Sequence, residues 1–270
     1  MYYANINVQS RIELYLKRGF QQVEAEILVL IEETASGLFS AFPNRFILFG
    51  GTTLVLFYDS PRLSRDLDLL AKADKLPPAP DVQNVVEASI QPLAEIIGLG
   101  KLDFRKQGHR QDFIKIWVES NQRPLFSIDL TRIGGTVLKS EVVQQRIAGD
   151  DQKTILAPSA NYLLFQKCET FLDRRYVKAR DAFDIDVLLS KGAQLDDNLK
   201  AHLDDFIEMR EFDTDLIRSR ITRIDPKLCT VELRPILPRD WFTELAEDDF
   251  NRLRKALKTV LSNWIQKGSR

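Results

Sequence analysis

The stretch FGGTTLVLFYDSPRLSRDLDLL, residues 49–70, constrains the fold of this chain most. It follows a Pro43-Asn44 turn and the apolar run Phe46-Ile47-Leu48-Phe49, which Gly50-Gly51 ends. An apolar run of that length closed by glycines predicts a buried strand and a tight turn, and residues 52–58 then suit a short helix. Alternation resumes at Asp66-Leu67-Asp68-Leu69-Leu70, the pattern of a half-buried strand. Because strand side chains alternate with a period of two, Asp66 and Asp68 share one face.

The flanking sequence extends this unit. Residues 11–39 carry apolar positions at helical spacing and predict one or two helices, with a break at Gly19. LPPAP at 76–80 reads as a rigid loop, 82–97 as a helix, and 101–105, 112–119 and 124–130 as strands, with turns at GHR and SNQRP. After Gly134-Gly135 the pattern becomes mainly helical: 160–172, 179–189, 199–209 and a last helix over 248–265, with PRDWF as a further helix start. We therefore expect an α/β fold, with α+β as the alternative: a mixed-sheet domain with N-terminal helices over 1–145, then a mainly helical domain over 146–270. The site is expected where the two halves meet.

Composition narrows the function classes. The 38 basic and 39 acidic residues give a net charge of −1, which argues against a uniformly basic nucleic-acid coat but leaves local clusters open. Cys168 and Cys229 stand apart without a CxxC or His-rich neighbourhood, so neither a zinc site nor a disulfide framework is expected. His109 and His202 occur in unrelated contexts and suggest no Ser-His-Asp triad. No segment holds the roughly 18 apolar residues of a membrane helix. We expect a soluble, cytoplasmic protein without a membrane partner.

The paired acids suit a hard divalent cation. Mg²⁺ takes oxygen ligands and combines one or two carboxylates with substrate phosphates, so Asp66 and Asp68 would position a nucleoside triphosphate. Gly50 and Gly51 would let backbone approach phosphate, Thr52 would add a hydrogen bond, and a following helix N-terminus favours an anion. Each feature alone has a plain structural alternative: a capped tight turn for the glycines and threonine, a solvated strand face for the acids. Asp129, in FSIDL, is a third acid that a neighbouring strand can bring toward the pair, either as a metal or orienting residue or in a turn cap or arginine pair.

Order and spacing add a resemblance. GGTTL followed by PRLSRDLDLL resembles the GGT, R-x-S and DxD signature of the AbiEii/AbiGii toxin family within the nucleotidyltransferase superfamily, and LLFQKCETFLDRRYVKARDAFDIDVLL resembles its later Lys and Arg-Asp helical signature. The resemblance implies a nucleotidyltransferase-like domain joined to a helical one, with NTP and Mg²⁺ between them. Gly50, Gly51 and Thr52 match the nucleotide-binding turn and Asp66 and Asp68 the metal-binding acids. Lys167 matches the later lysine and Asp181 the later catalytic acid. Arg62 matches the R-x-S arginine as a phosphate or acceptor contact, with Ser64 beside it as a cap or phosphate ligand; Arg65 is an RNA or phosphate contact or a solvated edge residue.

From helical pattern alone, Lys167 is a snorkelling surface lysine; the motif makes it a phosphate ligand. Asp181 and Asp184 fall three apart on the predicted helix, where Arg180 can hold a phosphate or orient an acid. Arg174, Arg175, Lys178 and Arg180 surround Tyr176, either as an RNA contact or as a solvated helix connection. The reading is metal-dependent transfer of a nucleoside monophosphate from an NTP to an acceptor hydroxyl. The resemblance adds a toxin role, RNA and especially the acceptor end of tRNA as acceptor, and a cognate antitoxin. Transfer to a protein or small molecule, and a noncatalytic nucleotide- or RNA-binding regulatory module, are the alternatives.

Overall fold

The computed structural model describes residues 2–71, 76–110, 112–132, 141–147 and 150–266. The backbone divides into two compact units, Met1–Pro158 and Ser159–Arg270.

The first unit opens with α1 (Tyr2–Lys17) and α2 (Gln22–Ala41), separated at Gly19, whose φ of +92° suits glycine. Then come β1 (Phe46–Phe49), α3 (Gly50–Phe57), β2 (Asp66–Ala71), α4 (Ala79–Ile96), β3 (Leu102–Arg110), β4 (Phe113–Ser120) and β5 (Arg123–Arg132). The five strands form one mixed sheet in the order β1-β2-β5-β4-β3, in which only β2 and β5 pair in parallel. Leu67 and Leu69 of β2, Ile128 and Leu130 of β5 and Ile114, Ile116 and Val118 of β4 are buried on one face, in a core shared with α2 and α4. Strand alternation then sends Asp66, Asp68, Ser127, Asp129, Lys115 and Trp117 to the opposite face.

Two local expectations change. The GHR segment is no turn, because β3 runs on to Arg110 through an irregularity between Gln107 and His109. The chain also does not turn helical directly after Gly134-Gly135, which themselves lie outside the described residues. A hairpin of β6 (Val142–Ile147) and β7 (Asp150–Pro158) intervenes, and β7 packs against β1. The expected division at 145/146 thus falls inside β6, whereas the compact units divide after Pro158.

The second unit is helical: α5 (Ala160–Asp173), α6 (Ala179–Ser190), α7 (Asp197–Met209), α8 (Thr214–Thr222), α9 (Pro226–Leu233), α10 (Arg239–Glu247), α11 (Asn251–Val260) and α12 (Ser262–Gln266). Helix α10 starts within PRDWF, whereas the single last helix expected over 248–265 is broken at Leu261 into α11 and α12. Ser159, Asp196, Asp213 and Asp225 cap α5, α7, α8 and α9 by accepting backbone N–H bonds. Helix α6 is the hub, packed against α5, α9 and α11. Among the described residues no helix is long and apolar enough to cross a membrane.

Candidate functional site

The sheet unit gathers one set of the expected residues. Gly50 has a φ of +76°, and a Cβ there would overlap the Asp68 carboxylate. A Cβ on Gly51 would meet the Arg62 guanidinium and Ser64 Oγ. Gly50 is therefore required by its backbone as well as by close approach, whereas at Gly51 the Arg62 and Ser64 side chains set the limit. Thr52, fully buried, donates from Oγ1 to the Asp66 carbonyl at 2.6 Å and lies 3.1 Å from Ser64 Oγ. Its hydroxyl proton thus staples the turn to β2, which makes the structural alternative for Thr52 concrete. Arg62 and Ser64 are buried, whereas Arg65 is exposed, with its carbonyl accepting from Ser127 N at 2.9 Å.

Asp129 comes to the acid pair through the parallel register, in which Asp66 faces Ser127 and Asp68 faces Asp129. Ser127 Oγ donates to Asp66 Oδ1 at 2.7 Å and lies 3.3 Å from Asp129 Oδ1. Lys115 Nζ sits 2.9 Å from both Asp129 oxygens and 4.8 Å from the Trp117 ring centroid. Ser127 and Lys115 are additions to the expected set. The signal available for Lys115 was its place at a polar position of an alternating strand, too common a feature to single it out.

These donors suit Mg²⁺ in kind. They are hard carboxylate oxygens on one strand face, and the bare Gly50 leaves room for the Asp68 carboxylate. Among the described residues no three or more His, Cys, Asp or Glu side chains gather as a self-sufficient metal cage. Mg²⁺ keeps water and phosphate oxygens alongside one or two carboxylates, so its binding needs no such cage.

The helical unit gathers the other set. Lys167 of α5 lies 2.7 Å from Asp184 Oδ2 and 3.9 Å from Asp181 Oδ1. Arg174 Nε lies 2.6 Å from Asp181 Oδ2. Neither Asp181 oxygen accepts a well-directed hydrogen bond, so these are contacts of charge. Asp181 and Asp184 are 1% and 0% exposed, and burial pushes the Asp181 carboxyl above its ordinary range against the pull of Lys167 and Arg174. The physical cause of the cluster is α6 itself: a hub helix that buries acids must be met by cations from its neighbours. Arg252 of α11 does the same for Asp186 at 2.9 Å.

The basic segment before α6 divides. Arg174 belongs to the Asp181 cluster, and Lys178 pairs with Glu232 at 2.8 Å. Arg175 and Arg180 are exposed, and Arg175 lies over the ring of Tyr176, itself 63% exposed. Glu232, on α9, also accepts from Ala179 N at 2.8 Å and so closes the first turn of the helix that carries Asp181. Arg220, on α8, donates to the carbonyls of Phe171 and Arg174 at 2.7 Å and finishes α5. Sequence reasoning missed both, because a cap supplied from another helix leaves no mark at the capped terminus.

Comparison with known proteins bears on the whole arrangement. A family model described as "Nucleotidyl transferase AbiEii toxin, Type IV TA system" matches residues 36–263. The chain belongs to the AbiEii nucleotidyltransferase toxin family. As an AbiEii-family chain it shares its fold with JHP933 from Helicobacter pylori, with TM-score 0.53 and 17% identity over 89% of this chain and 92% of that one. MenT4, a nucleotidyltransferase toxin from Mycobacterium tuberculosis, matches with TM-score 0.50 and 16% identity over 98% of this chain and 94% of that one. No curated protein matches the sequence. The match over 36–263 takes in both residue sets of this AbiEii chain and leaves α1 and the start of α2 outside it.

Proposed function

We propose that this chain is a Mg²⁺-dependent nucleotidyltransferase toxin that moves a nucleoside monophosphate from an NTP to an acceptor hydroxyl, with RNA, and the acceptor end of tRNA in particular, as acceptor. The observation that carries the reading is the Asp66, Asp68 and Asp129 face laced by Ser127 beside the Gly50-Gly51 turn. In the reaction the acceptor oxygen bonds to the α-phosphorus, the bond from that phosphorus to the bridging oxygen of the β-phosphate breaks, and pyrophosphate leaves. Mg²⁺, when bound, would offset charge on the phosphates.

Asp66 and Asp68 would be its ligands. Ser127 would orient Asp66 with its hydroxyl proton, and Asp129, paired with Lys115, would be a further metal or orienting acid beside them. The Gly50-Gly51 backbone would lie against phosphate, with Arg62 and Ser64 behind it. Lys167 would serve a phosphate and Asp181 would take the proton of the attacking hydroxyl. A carboxyl whose pKa is raised by burial suits proton acceptance. Membership of a toxin–antitoxin family supports a cognate antitoxin as partner. A noncatalytic binding module is the second reading, favoured by one observation: Lys167 is only 13% exposed and already holds Asp184.

The test incubates the purified chain with each of the four NTPs labelled at the α-phosphate, Mg²⁺, and separate RNA, protein and small-molecule pools, beside an Asp66→Asn/Asp68→Asn double variant. Label joined to RNA with pyrophosphate release, from the unaltered chain alone, is the expected result. Label on protein or small molecule would move the acceptor class, and nucleotide binding without product in any pool would sink the transferase reading.

A further inference from the structure

Two grooves of opposite charge flank the C-terminal helices of the second unit. One, of about 480 Å³, is lined by Asp204, Glu208 and Asp213 with Trp264 at its wall. The other, of about 330 Å³, is lined by Arg218, Ile221, Thr222, Arg254, Lys258 and Ile265, with no acid among the described residues that line it. The net charge of −1 hides this sorting. We propose that the basic groove binds the phosphodiester backbone of the acceptor RNA, an inference that rests on the RNA-modifying reading above.

Local helix geometry builds the groove. Arg254 and Lys258 are four apart on α11, and Arg218 and Thr222 four apart on α8, so each helix lines the groove with an i,i+4 pair. Leu253, Ala256 and Leu257 take the buried face of α11 and leave its two cations at the edge. Ile265, partly exposed, supplies an apolar edge that suits a ribose, above the buried Ile221.

The positive charge of the groove is held in place yet barely neutralised. Arg254 donates to the carbonyls of Ile224 (2.6 Å) and Asp249 (2.7 Å) and to Asn251 Oδ1 (2.6 Å), all uncharged acceptors. Its guanidinium is thus oriented without losing its charge. Arg218 donates to the Ile265 carbonyl at 2.6 Å, and its ion-pair partner Asp215, at 3.6 Å, is 92% exposed, where water screens the pair. Lys258 is exposed and forms no ion pair among the described residues. Three cations kept close repel one another, and an anion lying between them removes that cost. A chain of phosphates meets cations on two helices better than a single phosphate does, and arginine forks match phosphate oxygens in geometry.

The test measures binding of a labelled structured RNA to the full chain across a salt series, for the unaltered protein, Lys258→Glu, Arg218→Gln and the conservative Lys258→Arg. NTP affinity is the internal reference and thermal melting the check on folding. The expected result is at least about a tenfold loss of RNA affinity in Lys258→Glu. The slope of log affinity against log salt should shrink by about 0.7 to 0.9 per phosphate contact removed. Lys258→Arg should keep both. Unchanged affinity and slope in Lys258→Glu and Arg218→Gln would overturn the proposal, as would a loss confined to binding of polyglutamate, which would assign the groove to an acidic polypeptide. Failure of transfer in the unaltered chain sinks the catalytic reading instead, and is read in a separate assay.

Discussion

The two units hold the same pairing of lysine with aspartate in opposite settings. On the sheet, Lys115 and Asp129 meet at 2.9 Å with both side chains 20% exposed, next to an Asp66 open to solvent. In the helices, Lys167 meets Asp184 at 2.7 Å with the acid wholly enclosed. A partly solvated pair exchanges partners cheaply, whereas a buried pair gives up its partner only at the cost of a bare charge. The sheet cluster is thus disposed toward an arriving cation or phosphate, and the helical cluster, beside the roles proposed for Lys167 and Asp181, also holds α5 and α6 in place.

Removing each lysine tests that contrast most strongly. Lys167→Ala should cost about 3 to 5 kcal/mol in urea unfolding, because Asp184 stays enclosed without its cation. Lys115→Ala should cost less, about 1 to 3 kcal/mol, because Asp129 keeps some contact with water. Equal losses would erase the distinction between the two clusters. Next in size, Asp66→Asn should lower nucleotidyl transfer by about 10²- to 10³-fold with little change in melting, since Asp66 is exposed. Parallel loss of fold and activity would make Asp66 structural.

Smaller effects sharpen the picture. Gly50→Ala should cost about 1 to 2 kcal/mol for its left-handed backbone, with additional cost from displacing Asp68, while Gly98→Ala, also at positive φ but in open space, isolates the backbone part. Glu232→Gln should cost about 0.5 to 2 kcal/mol through weaker capping of α6. A separate test is one of pH. Burial, helped by Asp173, pushes the Glu169 carboxyl up from about 4.5 to about 7. The folded chain then binds more protons than the unfolded one between these values, so stability should fall as pH rises through that window. Glu169→Gln should flatten the fall in a pH series of denaturation curves; an unchanged slope would clear Glu169 of the effect.

Much of the sheet cluster was legible in the sequence because its parts are local. The glycine turn, the strand after it and the shared face of Asp66 and Asp68 follow from short-range backbone geometry. Asp129 was visible only as a possibility, since its approach depends on the parallel register of β2 with β5. The β6–β7 hairpin was missed: strands of modest apolar content, VVQQRI and DDQKTILAP, show little alternation. The pairing of Lys167 with Asp184 was not legible, because helix periodicity marks which face is apolar and says nothing of which acids a neighbouring helix will bury there.

The sequence by itself determined the AbiEii motifs, the helical character of the second half and the face shared by the two leading acids. Each rests on residues close along the chain, where sterics and side-chain period leave few choices. Only the tertiary structure decided that Ser127 and Lys115 join the acids, that Glu232 and Arg220 finish helices distant in sequence, and that near-neutral overall charge separates into one acidic and one basic groove. Those outcomes depend on which distant segments pack together, and that is set by burying a common core, a collective quantity that no single stretch of sequence carries.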